Sequence, residues 1–173
     1  MLLFSLILVP FAGSLIAALM PEDARNREAW LAAGVTLYGL FVAASLYPEI
    51  AAGEVHRHEF QWLPAQGLDF VLRVDGLAWV FTMLVLAIGL LVVLYARYYM
   101  SPSDPVPRFF SFLLAFMGSM LGVVLSGNLV QLVVFWELTS LTSFLLIAYW
   151  HHRADARRGA RMAFTVTATG GLC

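Results

Sequence analysis

Glu137 is the one formally charged side chain in residues 129–150, an apolar run long enough to cross a membrane. A charge near the centre of a membrane helix costs roughly 2.5–3.5 kcal/mol on insertion scales, and such groups generally face a protein interior or an aqueous cavity, where they move protons or ions. Burial without a partner disfavours the carboxylate, whereas a nearby cation favours it. A carboxyl held between those influences changes protonation when its partner moves. The alternative is a structural carboxylic acid, neutral and hydrogen-bonded to a neighbouring helix. Helical spacing puts Ser140 and Leu141 on the face of Glu137, with Val133 and Val134 one turn the other way. Ser140, Thr139 and Thr142 are accessory candidates for contacting an ion or its water, although hydroxyls in such helices also bond the carbonyl one turn back. His151 follows at the helix end, beside His152, where a cationic imidazole suits the helix dipole. It is a candidate relay group or a surface residue.

These groups need a membrane scaffold, and the composition provides for one. Apolar residues make up 61% and charged residues 12%, against about 25% charged in soluble domains. Apolar segments cover 2–20, 29–47, 77–95, 109–126, 129–150 and 159–173. The last runs for 15 residues, short of the roughly 20 that a span needs. The expected fold is therefore all-α: a polytopic transmembrane helix bundle of five complete spans plus a truncated sixth, a single membrane domain from the N-terminal part of a longer protein. The first segment lacks a basic leader and has further apolar runs behind it, so it reads as a retained helix rather than a signal peptide. A polar turn is expected over 21–28. In the extramembrane stretch 48–75, residues 59–63 and 68–74 alternate around Pro64, Ala65, Gln66 and Gly67, which predicts a short β-hairpin between the second and third spans. Asp75 is placed to cap the third span. Gly118 and Gly122 have the GxxxG spacing of close helix packing. Gly127 and Asn128 make a tight turn, and 151–161 reads as a basic loop.

All ten basic residues are Arg. Eight (Arg25, Arg27, Arg97, Arg108, Arg153, Arg157, Arg158 and Arg161) fall on one side of this topology and two, Arg57 and Arg73, on the other. The positive-inside rule then puts the N-terminus and the hairpin outside the cytoplasm. Cys173 is the single cysteine, which leaves no intrachain disulfide. No metal-ligand spacing, phosphate loop or nucleophile constellation is present, so no cofactor, metal, nucleic acid or enzymatic reaction is expected. His56 and His58, beside Glu54 and Glu59, read as part of a solvated loop in preference to a metal site.

Residues 134–150, VFWELTSLTSFLLIAYW, resemble the fifth membrane helix of the large A subunit in the Mrp-type (Pha-type) multisubunit cation/proton antiporters. Residues 73–77, RVDGL, and 94–100, LYARYYM, resemble that subunit's third helix, and the likeness extends over essentially the whole chain. It implies an inner-membrane subunit of a bacterial Na⁺, K⁺ or Li⁺/H⁺ antiporter, related to the antiporter-like subunits of respiratory complex I. Its implied partners are the other antiporter subunits, the lipid bilayer, protons and monovalent cations. The resemblance matches Glu137 to the family's fifth-helix Glu, which pairs with a Lys of the seventh helix, and this chain contains no Lys. Two alternatives stay open. One is a proton-pumping subunit of a quinone oxidoreductase or membrane hydrogenase, whose Trp-Glu pair is usually followed by Gly-rich sequence where Leu138, Thr139 and Ser140 stand here. The other is a scaffold subunit in which Glu137 is structural.

Overall fold

The computed structural model describes residues 2–21, 25–63, 68–101, 104–150 and 153–172. Its elements, in order, are α1 Leu2–Ala18, α2 Arg25–Ser45, α3 Tyr47–Ala51, β1 His56–Leu63, β2 Leu68–Val74, α4 Gly76–Tyr99, α5 Val106–Leu125, α6 Leu129–Ile147 and α7 Ala154–Leu172. Four helices are long and apolar enough to cross a membrane: α2 over Asn26–Ser45, α4, α5 and α6. Helix α1 is apolar but has 17 residues, a rise of about 26 Å. Helix α7 begins at Ala154, upstream of the expected Gly159, so Arg157, Arg158 and Arg161 lie on a helix and not in a loop. Ala154 and Ala156 favour helix, and Asp155 in the first turn complements its N-terminus.

Helix α5 is the hub. Phe110, Leu114, Leu121 and Leu125 are fully buried along it, with α1 and α6 packed on its flanks. The two glycines of the GxxxG pair serve different neighbours. A methyl carbon added at Gly118 would lie 3.2 Å from the Phe11 ring and 3.3 Å from Pro10 of α1, and one added at Gly122 would overlap the Phe135 ring of α6. This close approach, together with the Ser14–Ser111 hydroxyl pair at 3.2 Å, makes α5 the main partner of α1, which also packs on α2. Helix α2 packs chiefly on α4. There the Trp79 indole donates to the Ala43 carbonyl at 2.7 Å, Gly39 lies against Leu86, and the Arg97 guanidinium sits 5.2 Å over the Trp30 ring. Those pairings fix an antiparallel register. The polar turn expected over 21–28 ends sooner, because α2 starts at Arg25 and Glu28 is fully buried. Glu28 continues the buried stripe of Ala32, Val35, Thr36 and Ala43, and that helical periodicity outweighs its polarity.

Strands β1 and β2 pair antiparallel from His56↔Val74 to Phe60↔Phe70, with an irregularity between Gln61 and Leu63. Residues 64–67 of the expected turn lie outside the described residues. The hairpin is sewn to the α5–α6 connection. The Gly127 N–H donates to the Val71 carbonyl at 2.8 Å, the Val71 N–H to the Gln131 amide oxygen at 2.8 Å, and the Asn128 amide to the Asp69 carbonyl at 2.5 Å. A side chain at Gly127 would overlap Val71, so this approach requires glycine. Asn128 also caps α6 by accepting from the Gln131 N–H at 2.7 Å. At the other end of β2, Asp75 caps α4 by accepting from the Ala78 N–H at 2.9 Å.

Candidate functional site

Asn128 starts α6 and Phe135 locks it into the Gly122 notch of α5, and together these fix the rotation of the helix that carries Glu137. Glu137 lies near the middle of α6 and is half-buried. Its Oε1 is sealed from solvent and has no hydrogen-bond partner among the described residues. Helix α7 provides the wall. A methyl carbon added at Gly171 would overlap Glu137 Oε1 and come within 2.8 Å of Trp136 Cδ1. The carboxyl is thus pressed against bare helical backbone, with the Trp136 ring beside it. Among the described residues the ion pairs lie elsewhere, around the hairpin: Arg57–Glu59 at 2.5 Å and Arg73–Asp75 at 3.1 Å, with His56 also 2.5 Å from Glu49.

A buried carboxylate oxygen without a partner is costly. The neighbouring hydroxyls are directed to the helix's own backbone. Thr139 and Ser140 donate to the Trp136 carbonyl at 2.6 and 3.3 Å, and Thr142 donates to the Leu138 carbonyl at 2.8 Å. Their oxygen lone pairs remain acceptors for an ion or water. His151 lies outside the described residues.

Two features of the structure escaped the sequence reading. One is Gly171, whose partner across the helix interface no local pattern reveals. The other, away from Glu137, is Glu28, the most deeply buried carboxyl among the described residues, with both oxygens lacking hydrogen-bond partners there. Its signal was present in the four-residue spacing to Ala32 and Thr36.

Glu49, Glu54 and His56 bring one ligand atom each within 4.8 Å of one another. The two glutamates are exposed, and His56 lies 2.5 Å from Glu49. The sequence had associated His56 with His58, which is exposed on the same strand. A cavity of about 370 Å³ opens between α1, the hairpin and α6, lined by Phe4, Phe60, Phe70, Gln131 and Phe135 among others, and Glu137 is not part of its wall.

Residues 62–110 match the family model described as NADH-ubiquinone oxidoreductase (complex I), chain 5 N-terminus. Residues 126–173 match the one described as NADH:quinone oxidoreductase/Mrp antiporter, TM. The probable A/B subunit of a K⁺/H⁺ antiporter from Rhizobium meliloti is 62% identical over 99% of this chain, which spans 17% of that relative's length. The A subunit of a Na⁺/H⁺ antiporter from Alkalihalophilus pseudofirmus is 41% identical over 94% of the chain, which spans 20% of that protein. Among solved structures, a chain of the Mrp complex from Dietzia sp. superposes with a TM-score of 0.82 at 30% identity, covering 100% of this chain and 18% of its own. A chain of an archaeal membrane-bound sulfane sulfur reductase shares the fold, with a TM-score of 0.76 at 22% identity over 96% of this chain and 25% of its own.

Proposed function

The chain belongs to the family of antiporter-like membrane subunits common to Mrp complexes and complex I, and on that footing we propose that it forms part of the A subunit of an Mrp-type antiporter, exchanging Na⁺, K⁺ or Li⁺ for protons across a bacterial inner membrane. It acts as a secondary transporter, assembled with other antiporter subunits and surrounded by lipid. The single observation that carries this reading is the carboxyl of Glu137, lodged at mid-helix with Oε1 buried and unpartnered. Glu137 is the proton relay. Protonated, it is neutral and tolerates a buried Oε1; a cation brought close to it stabilises the carboxylate and releases the proton. Ser140, Thr139 and Thr142 serve as accessory oxygen acceptors on the same helix, and His151 as an accessory group at its end.

The same reading sets the topology. Helices α1, α2, α4, α5 and α6 cross the membrane and α7 enters it. The 17 residues of α1 stand at the short end of the span range of about 17–25. Its packing along α5 supports the crossing. The Arg asymmetry puts the hairpin outside and the α4–α5 connection inside. In a full-length protein with Cys173→Ser, a cysteine introduced at Glu59 reacts with an impermeant maleimide added outside intact cells, and one at Ser101 reacts only after permeabilisation. Inverted labelling refutes the orientation.

Vesicles holding the complete complex test the function itself. Adding Na⁺, K⁺ or Li⁺ collapses an imposed pH gradient, with no need for a redox substrate. Proton movement driven only by quinone reduction would support the alternative that the complex I family description favours, a redox-driven proton pump.

A further inference from the structure

Glu28 has no place in the relay described above, yet it is fully buried, with both carboxylate oxygens lacking a hydrogen-bond partner among the described residues. It stands at the end of the fold where Arg97 covers Trp30. The apolar residues buried at that end include Ala96 of α4, Met100 just after it and Val106 of α5. A second orphan group is close by. Tyr149, just past α6, is 6% exposed and its hydroxyl has no partner among the described residues, with Asp104, Arg108 and Glu28 the charged residues around it. The ionisable groups gathered here are therefore Arg27 on α2 itself, Arg97 on α4, Asp104 and Arg108 at the start of α5, and Tyr149 after α6. Two of these cations are already engaged with rings: Arg97 with Trp30 and Tyr98, and Arg108 with Phe112 at 5.5 Å.

We propose that Glu28 is a second proton-holding carboxyl, an exchangeable-proton site at the Arg-rich end of the fold. Two buried oxygens without donors carry an uncompensated charge if ionised and none if protonated. Exchange is open to it because Asn26 and Arg27, two residues and one residue before it, are exposed. The site is distinct from Glu137: ten residues of α6 separate Glu137 from Ile147, about 15 Å of helical rise. Its use in proton traffic rests on the antiporter reading, but its proton occupancy does not.

Infrared difference spectra of the complete antiporter complex, titrated in H₂O and in D₂O, test the proposal. A protonated-carboxyl C=O band that shifts in D₂O is expected, lost in Glu28→Gln and kept in Glu137→Gln. If Glu28→Gln does not assemble, Glu28→Asp keeps the band at a displaced frequency. Absence of any Glu28-dependent band, a band that D₂O leaves in place, or failure of both variants to assemble overturns the proposal. A complex that does not exchange cations but retains the Glu28 band refutes the antiporter function alone.

Discussion

Gly171→Leu should cut cation-driven proton exchange by about 100-fold in a complex that still assembles, the loss expected when a reacting group is displaced by around 1 Å. The first carbon of the new side chain already overlaps Glu137 Oε1 and lies 2.8 Å from Trp136 Cδ1. Overpacking of this kind generally costs about 1–3 kcal/mol, and here the strain falls on the carboxyl or on the α6–α7 contact that holds it. Gly171→Ala adds that first carbon alone and should lose activity to a smaller degree. The adjacent Gly170→Leu is the control, because a carbon added at Gly170 meets nothing within 4 Å. Initial rates in vesicles, normalised to assembled complex, decide the matter. Equal losses from Gly170→Leu and Gly171→Leu would detach the effect from Glu137 and contradict the packing described above.

This contact also marks where sequence reading stopped. Glu137 stood out because a lone charge in an apolar run needs only composition and helical length to be noticed. The hairpin strands were legible from period-two alternation, although β1 begins at His56 rather than at residue 59, because its first residues pair with Val74 and Arg73 of β2. Asp75 and Asn128 were readable as turn and cap residues from their types. What could not be read was which helix each small residue meets. Gly118 and Gly122 announced close packing, but their spacing says nothing of one facing α1 and the other α6. The burial of Glu28 was hidden for a different reason. Its charge and the polar run before it suggested a turn, whereas its spacing to Ala32 and Thr36 assigned it to the inner face of α2. Helical periodicity was the better guide there. The early start of α7 has a similar origin: arginines suggested a loop, but Ala154, Asp155 and Ala156 are sound residues for a first helical turn.

Glu137→Gln should have the largest effect of any single change. Glutamine keeps the length and the hydrogen-bonding capacity of the neutral acid but cannot ionise, so packing against Gly171 is preserved while proton release is lost. Positioned proton-transfer groups contribute roughly 10²- to 10⁴-fold, and antiport should fall by about 100-fold or more. Glu137→Asp retains a titrating carboxyl drawn back by one methylene and should keep part of the rate. The decisive measurement is the rate of cation-induced pH-gradient collapse in vesicles carrying the complete complex, taken at several pH values for wild type, Glu137→Gln and Glu137→Asp at equal assembly. Near-complete loss with Gln and partial activity with Asp is the predicted result; full antiport by an assembled Glu137→Gln complex would contradict the relay and leave Glu137 a structural residue.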